Sequence, residues 1–338
     1  METVNGSEHR RVHVTDASDA SQARLVARDL ARAVGLDDTD AYRAAIVASE
    51  LATNLAKYAQ QGQLLLRAVA DNGTSGVELL AIDRGPGIAV IDDALRDGQS
   101  TGGSSGTGLG AVRRLSEEFD IHSTARGTTV LARIYAGRRA AAAAPFNVGV
   151  VSVAVAAEEP CGDSWAVRLN GRTAGALVVD GLGHGLLAAE ASRAAIDAWT
   201  PERHAGIAES LAAIHGAIRH TRGAAGAIVE IDREAQVMRF VGIGNIAAAI
   251  LMVDGRMRQA VSHNGTLGHE ARTFREFAYP WYGDSLLVVH SDGLSSHWSL
   301  EAYPGLARRH PAIIAAVLYR DFSRVRDDVT VLVCREAA

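Results

Sequence analysis

Between Gly137 and Pro145 the chain changes character, and that break constrains the fold more than any other feature of its 338 residues. The run reads Gly137-Arg138-Arg139, then alanine from Ala140 to Ala144, then Pro145. It suits a helical connector or a flexible linker, and the proline pushes the residue before it toward extended backbone, so a domain boundary falls there. Upstream, long helical periodicities alternate with strands; downstream, short apolar strands dominate. A chain of this length exceeds one small domain, and two of ordinary size are expected. Their bounds are 1–137 and 147–338, with a linker over 138–146. No internal repeat relates the halves.

In the first half, Leu25, Val26, Leu30 and Val34 fall at helical spacing and predict a helix over 17–34, stopped by Gly35. A second helix starts near Asp37–Thr39, where acidic side chains favour a helix N-terminus, and runs to Ala59. Its expected inner face carries Ile46, Leu51, Leu55 and Tyr58. Strands are predicted over 63–70 and 76–82 around Asp71-Asn72-Gly73, then a short helix over 108–117 and strands over 119–124 and 128–135. This is an α/β sandwich with helices on one face of a mixed sheet. The second half predicts strands over 147–156, 164–169, 174–179, 226–231, 236–242, 246–252 and 285–290. Helices over 185–200, 203–221 and 304–319 complete a β-sandwich flanked by helices.

Hydrophobic content of 48% and charged content of 22% belong to soluble globular protein. A net charge of −5 argues against a nucleic-acid binder, which presents a basic face. The pairs Arg113-Arg114, Arg138-Arg139 and Arg308-Arg309 are short and read as solvated faces. Cys161 and Cys334 form no CxxC and are expected as reduced thiols of a cytoplasmic protein. No apolar run approaches the ~20 residues of a membrane helix, and the polar first residues do not read as a signal peptide. Neither nucleic acid nor membrane is therefore expected as a partner.

Glu50 and Asn54 lie four residues apart on the second helix, so both leave one face about a turn apart. The asparagine offers a neutral oxygen to Mg2+, and the glutamate a carboxylate that can take a proton from an attacking hydroxyl. Asp83 follows the apolar strand Val77–Ile82 and precedes Gly85-Pro86-Gly87. A carboxylate there can accept from an exocyclic amine such as that of adenine, while the glycines let a ring lie against the backbone. The run Gly102 to Gly110, with Gly106, Gly108 and Gly110, leads into a helix whose first N–H groups can cradle phosphate.

These elements, in this order, resemble the N, G1 and G2 boxes of the GHKL (Bergerat-fold) ATPases. The segment Ser49 to Ala59, Gly62-Gln63 after it, and the Glu118-Phe119…Gly127-Thr128-Thr129 ending narrow the resemblance to anti-sigma serine/threonine kinases of the RsbT type, over residues 10–135. The resemblance implies that Asn54 holds Mg2+, that Glu50 is the catalytic base, that Asp83 reads adenine and that Thr129 supports it. It makes residues 97–110 the ATP lid, and the substrate a Ser or Thr hydroxyl on a STAS-domain protein.

The second half carries aspartates beside small residues. Asp180-Gly181 follows the strand Ala176–Val179, Asp163 stands in Cys161-Gly162-Asp163, Asp292-Gly293 follows the strand Leu286–His290, and Asp327-Asp328 opens the last strand. Any one Asp-Gly after a strand is a turn; four in this texture suit hard cations bound through oxygen. The set resembles the PPM-type metal-dependent phosphatases, in the SpoIIE-like branch and of the RsbX type, over 147–335. It implies two Mn2+ or Mg2+ ions bridged at Asp180 with the Gly181 carbonyl, Asp292 and Asp327 completing one site and Asp163 reaching the other through water. The metals would activate a water against phosphoserine or phosphothreonine. Gly242 to Ile246 matches a supporting turn. One departure is Cys161 where the pattern has glycine. Asp327 is preferred over Asp328 as ligand. His184 has the chemistry of a general acid, but the glycines around it point to packing, and His204, His215, His220, His263 and His269 show no metal spacing.

Together the halves imply a bifunctional switch that phosphorylates and dephosphorylates a STAS-domain protein in a stressosome-type partner-switching pathway. The alternative is a phosphatase whose first domain senses ATP without catalysis, or sequesters a sigma factor or a downstream phosphatase activator.

Overall fold

A computed structural model describes residues 2–71, 73–96, 108–137, 144–155, 160–200, 206–252, 255–324 and 326–337. Its first elements are β1 (Glu2–Asn5), β2 (Arg10–Val14), α1 (Asp19–Ala33), α2 (Asp38–Tyr58), β3 (Gly62–Asp71), β4 (Thr74–Ile82) and α3 (Ile91–Ala94). Then come α4 (Gly108–Leu115), β5 (Glu118–Thr124), β6 (Gly127–Tyr135), β7 (Phe146–Val153), β8 (Asp163–Leu169), β9 (Thr173–Gly181), α5 (Leu186–Ala198) and α6 (Ile207–Ala217). The chain finishes with β10 (Ala224–Asp232), β11 (Val237–Ile243), β12 (Ala247–Leu251), β13 (Met257–Ala260), β14 (Phe277–Pro280), β15 (Leu286–His290), α7 (Pro311–Phe322) and β16 (Val329–Glu336).

Two compact units result. One holds His9–Ala142 with Ser299–Arg320; the other holds Met1–Glu8, Ala143–Trp298 and Asp321–Ala338. Two segments thus lie on the other side of the division expected near residues 138–146. The first eight residues go with the second half because β1 pairs antiparallel with β8.

The first unit is an α/β sandwich. Its sheet runs β2-β3-β4-β6-β5, and every pairing is antiparallel. The expected mixed sheet is corrected here: β3–β4 and β5–β6 are hairpins and so antiparallel, and the long connections through helices between β2 and β3 and between β4 and β6 also bring the strands back antiparallel. Helix α2 begins where the Asp37 side chain accepts from the Asp40 N–H at 2.8 Å, a cap contributing about 1 kcal/mol. Alanines 23, 27 and 31 of α1 and 41, 44, 48 and 52 of α2 are buried, and their small size lets the helices approach closely. The inner face of α2 is Val47, Leu51 and Leu55, at i, i+4 and i+8. Tyr58 is instead 50% exposed, since a terminal helical residue has neighbours on one side only, and mid-helix Ile46 is half-buried. Elsewhere in this unit Glu78 is fully buried, bonded by Arg67 at 2.6 Å and by the Arg133 Nε at 2.7 Å. Burial alone would raise its pKa, but those two cations and His9 carry it well below the usual carboxylate range.

The second unit stacks two antiparallel sheets, β1-β8-β9-β10-β11-β14 and β13-β12-β15-β16-β7. Phe146, Trp165, Val178, Phe240, Trp281 and Leu332 belong to one of its buried cores. A second cluster, including Leu177, Ile196, Leu211, Ile214 and Ile228, packs α5 and α6 against the first sheet. The helix expected over 203–221 spans Ile207–Ala217, with 201–205 outside the described residues. That expected over 304–319 begins only at Pro311, which suits the first helical position, and the His310 ring accepts from the Ala312 N–H at 3.1 Å. The four-residue strands β1, β13 and β14 were not expected, being too short to establish an alternation.

Candidate functional sites

In the first unit, α2 presents half-buried Glu50 and Asn54 to the first turn of α4. A Cβ on Gly108 would stand 3.3 Å from Asn54 Oδ1 and 3.5 Å from Glu50 Oε2, so the α4 backbone comes down over both side chains. The first N–H groups of that helix have no intrahelical partner and can donate to phosphate. Gly110 is buried in the same turn. Gly106 and the rest of the expected lid up to Thr107 lie outside the described residues.

Asp83 sits just past the end of β4. Its Oδ1 accepts from the Gly85 N–H at 2.6 Å and the Thr128 N–H at 3.2 Å, which leaves Oδ2 to accept from a ligand. Burial raises the Asp83 pKa, and those two bonds and the nearby Arg320 charge oppose the rise. Gly87 carries φ +80° and continues the loop, whose Ile88 N–H is held by Ser123 Oγ at 2.7 Å. Ser123 Oγ also pairs with Thr128 Oγ1 at 2.8 Å, a support that no sequence pattern indicated. Thr129 faces Ile82 in the β4–β6 ladder and is fully buried. Its Oγ1 and the Asn54 Nδ2 are buried without a hydrogen-bond partner. A buried polar group left so costs about 1–3 kcal/mol, which a polar ligand would relieve. The residue set therefore fits a nucleotide with its divalent cation.

In the second unit, Asp163 and Asp180 are opposite each other in the β8–β9 ladder. Asp163 is 4% exposed, and Ser291 Oγ donates to it at 2.6 Å while accepting from the Thr330 N–H at 3.0 Å. Burial, with smaller contributions from Asp328 and Asp327, pushes Asp163 up to about 7. Burial and the charges of Asp163, Asp292, Asp327 and Asp328 push Asp180 up to about 9. Asp292 accepts from Asn245 Nδ2 at 2.7 Å, giving the Gly242–Ile246 turn a definite task. Asp327 is raised by burial and then by Asp292, which lies within hydrogen-bonding reach. Asp328 differs: its two oxygens accept from the Val155 N–H at 2.7 Å and the Gly162 N–H at 2.6 Å. It ties loops together, whereas Asp327 faces the other carboxylates.

Two glycines here are sterically required. A Cβ on Gly181 would run into the Ala188 backbone of α5, and one on Gly293 into the Asp328 carbonyl. Among the described residues no three His, Cys, Asp or Glu side chains are grouped tightly enough to enclose an ion. The donors are nevertheless hard oxygens, and the negative charges around Asp163, Asp180 and Asp327 raise their pKa values, the electrostatic environment a divalent cation would stabilise. Cys161, 3% exposed, has a thiol pushed well up by burial and by Asp163 and Asp328, so it fills the glycine's place as a small neutral group. His184 is exposed, His215 is buried with its ring accepting from the Gly268 N–H, and His263 stacks on Phe277. No helix of the described residues is long and apolar enough to cross a membrane.

Comparison with known proteins matches the two halves of the chain to two families. The Histidine kinase-like ATPase domain family matches residues 14–134, and the Stage II sporulation protein E (SpoIIE) family matches 170–336. The serine/threonine-protein kinase RsbT of Bacillus subtilis (strain 168) is 39% identical over 122 residues, covering 36% of this chain and 92% of the kinase. The phosphoserine phosphatase RsbX of the same organism is 24% identical over 135 residues, covering 40% of this chain and 68% of the phosphatase. A chain in a solved structure of the bacterial stressosome superposes with a TM-score of 0.52 at 27% identity, covering 56% of this chain and 99% of that one.

Proposed function

Because the chain belongs to the family of the RsbT serine/threonine kinase, joined to a SpoIIE-type phosphatase domain homologous to RsbX, we propose that it is a bifunctional phosphorylation switch. It transfers the γ-phosphoryl of ATP to a Ser or Thr hydroxyl of a STAS-domain partner. It also hydrolyses the phosphoester, within a stressosome-type partner-switching pathway. The observation that carries the reading is that each residue set assembles inside one compact unit.

In the kinase half, Asn54 Oδ1 would hold Mg2+, and Glu50 on the same face is positioned to take the proton of the partner hydroxyl. Asp83 Oδ2 accepts the adenine amine, Thr129 Oγ1 supports that end, and the first N–H groups of α4 meet the phosphates. In the phosphatase half, Asp163, Asp180, Asp292, Asp327 and the Gly181 carbonyl would hold two Mn2+ or Mg2+ ions. Bound there, the ions supply an activated water and neutralise charge on the phosphoryl group. The protein keeps the ligands in place: Ser291 orients Asp163, Asn245 orients Asp292, and Asp328 secures the loops bearing Gly162 and Asp327.

The test is a time course with a STAS-domain protein, labelled ATP and Mn2+. Wild type should first transfer label to the partner's hydroxyl and then release it. Asp180→Asn should lower release at least about 100-fold and leave ATP affinity unchanged. Asn54→Ala should abolish transfer and leave release intact. Hydrolysis retained in Asp180→Asn would refute the metal assignment. ATP binding without label transfer by wild type would favour the sensing or sequestering alternative.

A further inference from the structure

We infer that Arg320 is a positioning residue of the nucleotide site, holding the backbone of Asp83 from within the same compact unit. The inference rests on the nucleotide-site reading above.

Segment 299–320 falls within the span matched by the phosphatase family, yet it packs as part of the ATP-binding unit. It is joined there by specific bonds. Asp120 accepts from the His310 N–H at 2.7 Å and from Arg309 at 3.2 Å, and Tyr319 Oη donates to Gln63 Oε1 at 3.3 Å. The contact that matters for the ligand lies at the adenine end. Arg320, 3% exposed, donates through Nη1 to the Asp83 carbonyl at 3.2 Å, and the Arg84 guanidinium donates back to the Arg320 carbonyl. The reciprocal pair clamps the backbone of the residue assigned to adenine. The Arg320 charge also favours the ionised Asp83 against the effect of burial, which keeps Oδ2 an acceptor.

The test uses the full chain as wild type, Arg320→Ala, Arg320→Lys and Arg84→Ala. Calorimetry gives affinity for ATP and GTP with Mg2+, and Mn2+-dependent hydrolysis of p-nitrophenyl phosphate reports that each variant is folded. Arg320→Ala should weaken ATP about tenfold and shrink the preference for ATP over GTP, with Arg320→Lys recovering part of both. Arg84 is exposed, so Arg84→Ala should fold normally and shift ATP affinity in the same direction by a smaller factor. Hydrolysis should be the same in all four proteins, since none of the substitutions touches the phosphatase aspartates. Unchanged ATP affinity and selectivity in Arg320→Ala and Arg84→Ala would overturn the positioning role. Wild type that binds no ATP would instead defeat the nucleotide-site reading and this inference with it.

Discussion

The two candidate sites offer phosphate opposite surroundings. The candidate ATP site is built largely from neutral or backbone donors and acceptors beside Glu50, with Asn54 Nδ2 and Thr129 Oγ1 buried and unpaired. The half-buried Asp83 carboxyl is raised by burial, and Arg320 and two backbone N–H groups oppose that rise. The metal site gathers aspartates that repel one another, so that Asp180 is pushed up to about 9 and Asp163 to about 7. The first can be organised before its ligand arrives; the second is electrostatically incomplete until cations offset its charge. Affinity for nucleotide should therefore depend on single hydrogen bonds, and phosphatase activity on metal concentration.

Three measurements test that contrast. The largest effect is expected at Glu50. Glu50→Gln should lower label transfer to a STAS partner about 10²–10⁴-fold with ATP affinity unchanged by calorimetry, because a proton acceptor is lost and no ligand contact is. Equal loss of binding would mean that Glu50 holds nucleotide rather than taking a proton. Next is Asn245→Ala, which frees Asp292 from its 2.7 Å donor and should raise the Mn2+ concentration needed for hydrolysis about 10–100-fold. If added Mn2+ fails to restore the rate, Asn245 does more than orient a ligand. The smallest effect is on pH. Burial raises the Asp83 pKa, so the acceptor for adenine is lost on acidification at a higher pH than for an ordinary aspartate. ATP affinity should fall as pH is lowered from neutral and recover when it is raised again, while affinity of Asp83→Asn should be lower and less dependent on pH over the same range.

Much of this was readable in the residue order. The Glu50–Asn54 spacing, the Asp83 loop and the four Asp positions each follow from local rules: helical period, turns after strands, and hard-oxygen donors. Other features were not readable. Tyr58 has the residue type and spacing of an inner-face position and is exposed, because burial at a helix end depends on what packs there. The choice between adjacent Asp327 and Asp328 depends on which backbone N–H groups lie near, and Val155 and Gly162 come from distant segments. Ser123, Ser291 and Arg320 carry no pattern of their own, being common residues given a task by their neighbours.

Helix periods, strand alternation and the Asp- and Gly-bearing turns determined the two fold classes and nominated the candidate site residues, since each depends on residues a few positions apart. Only the tertiary structure decided that β1 completes the phosphatase sheet and that 299–320 goes with the ATP unit. Edge pairing and helix docking depend on surfaces assembled from segments up to about three hundred residues distant, and no local period encodes which surface a segment will find.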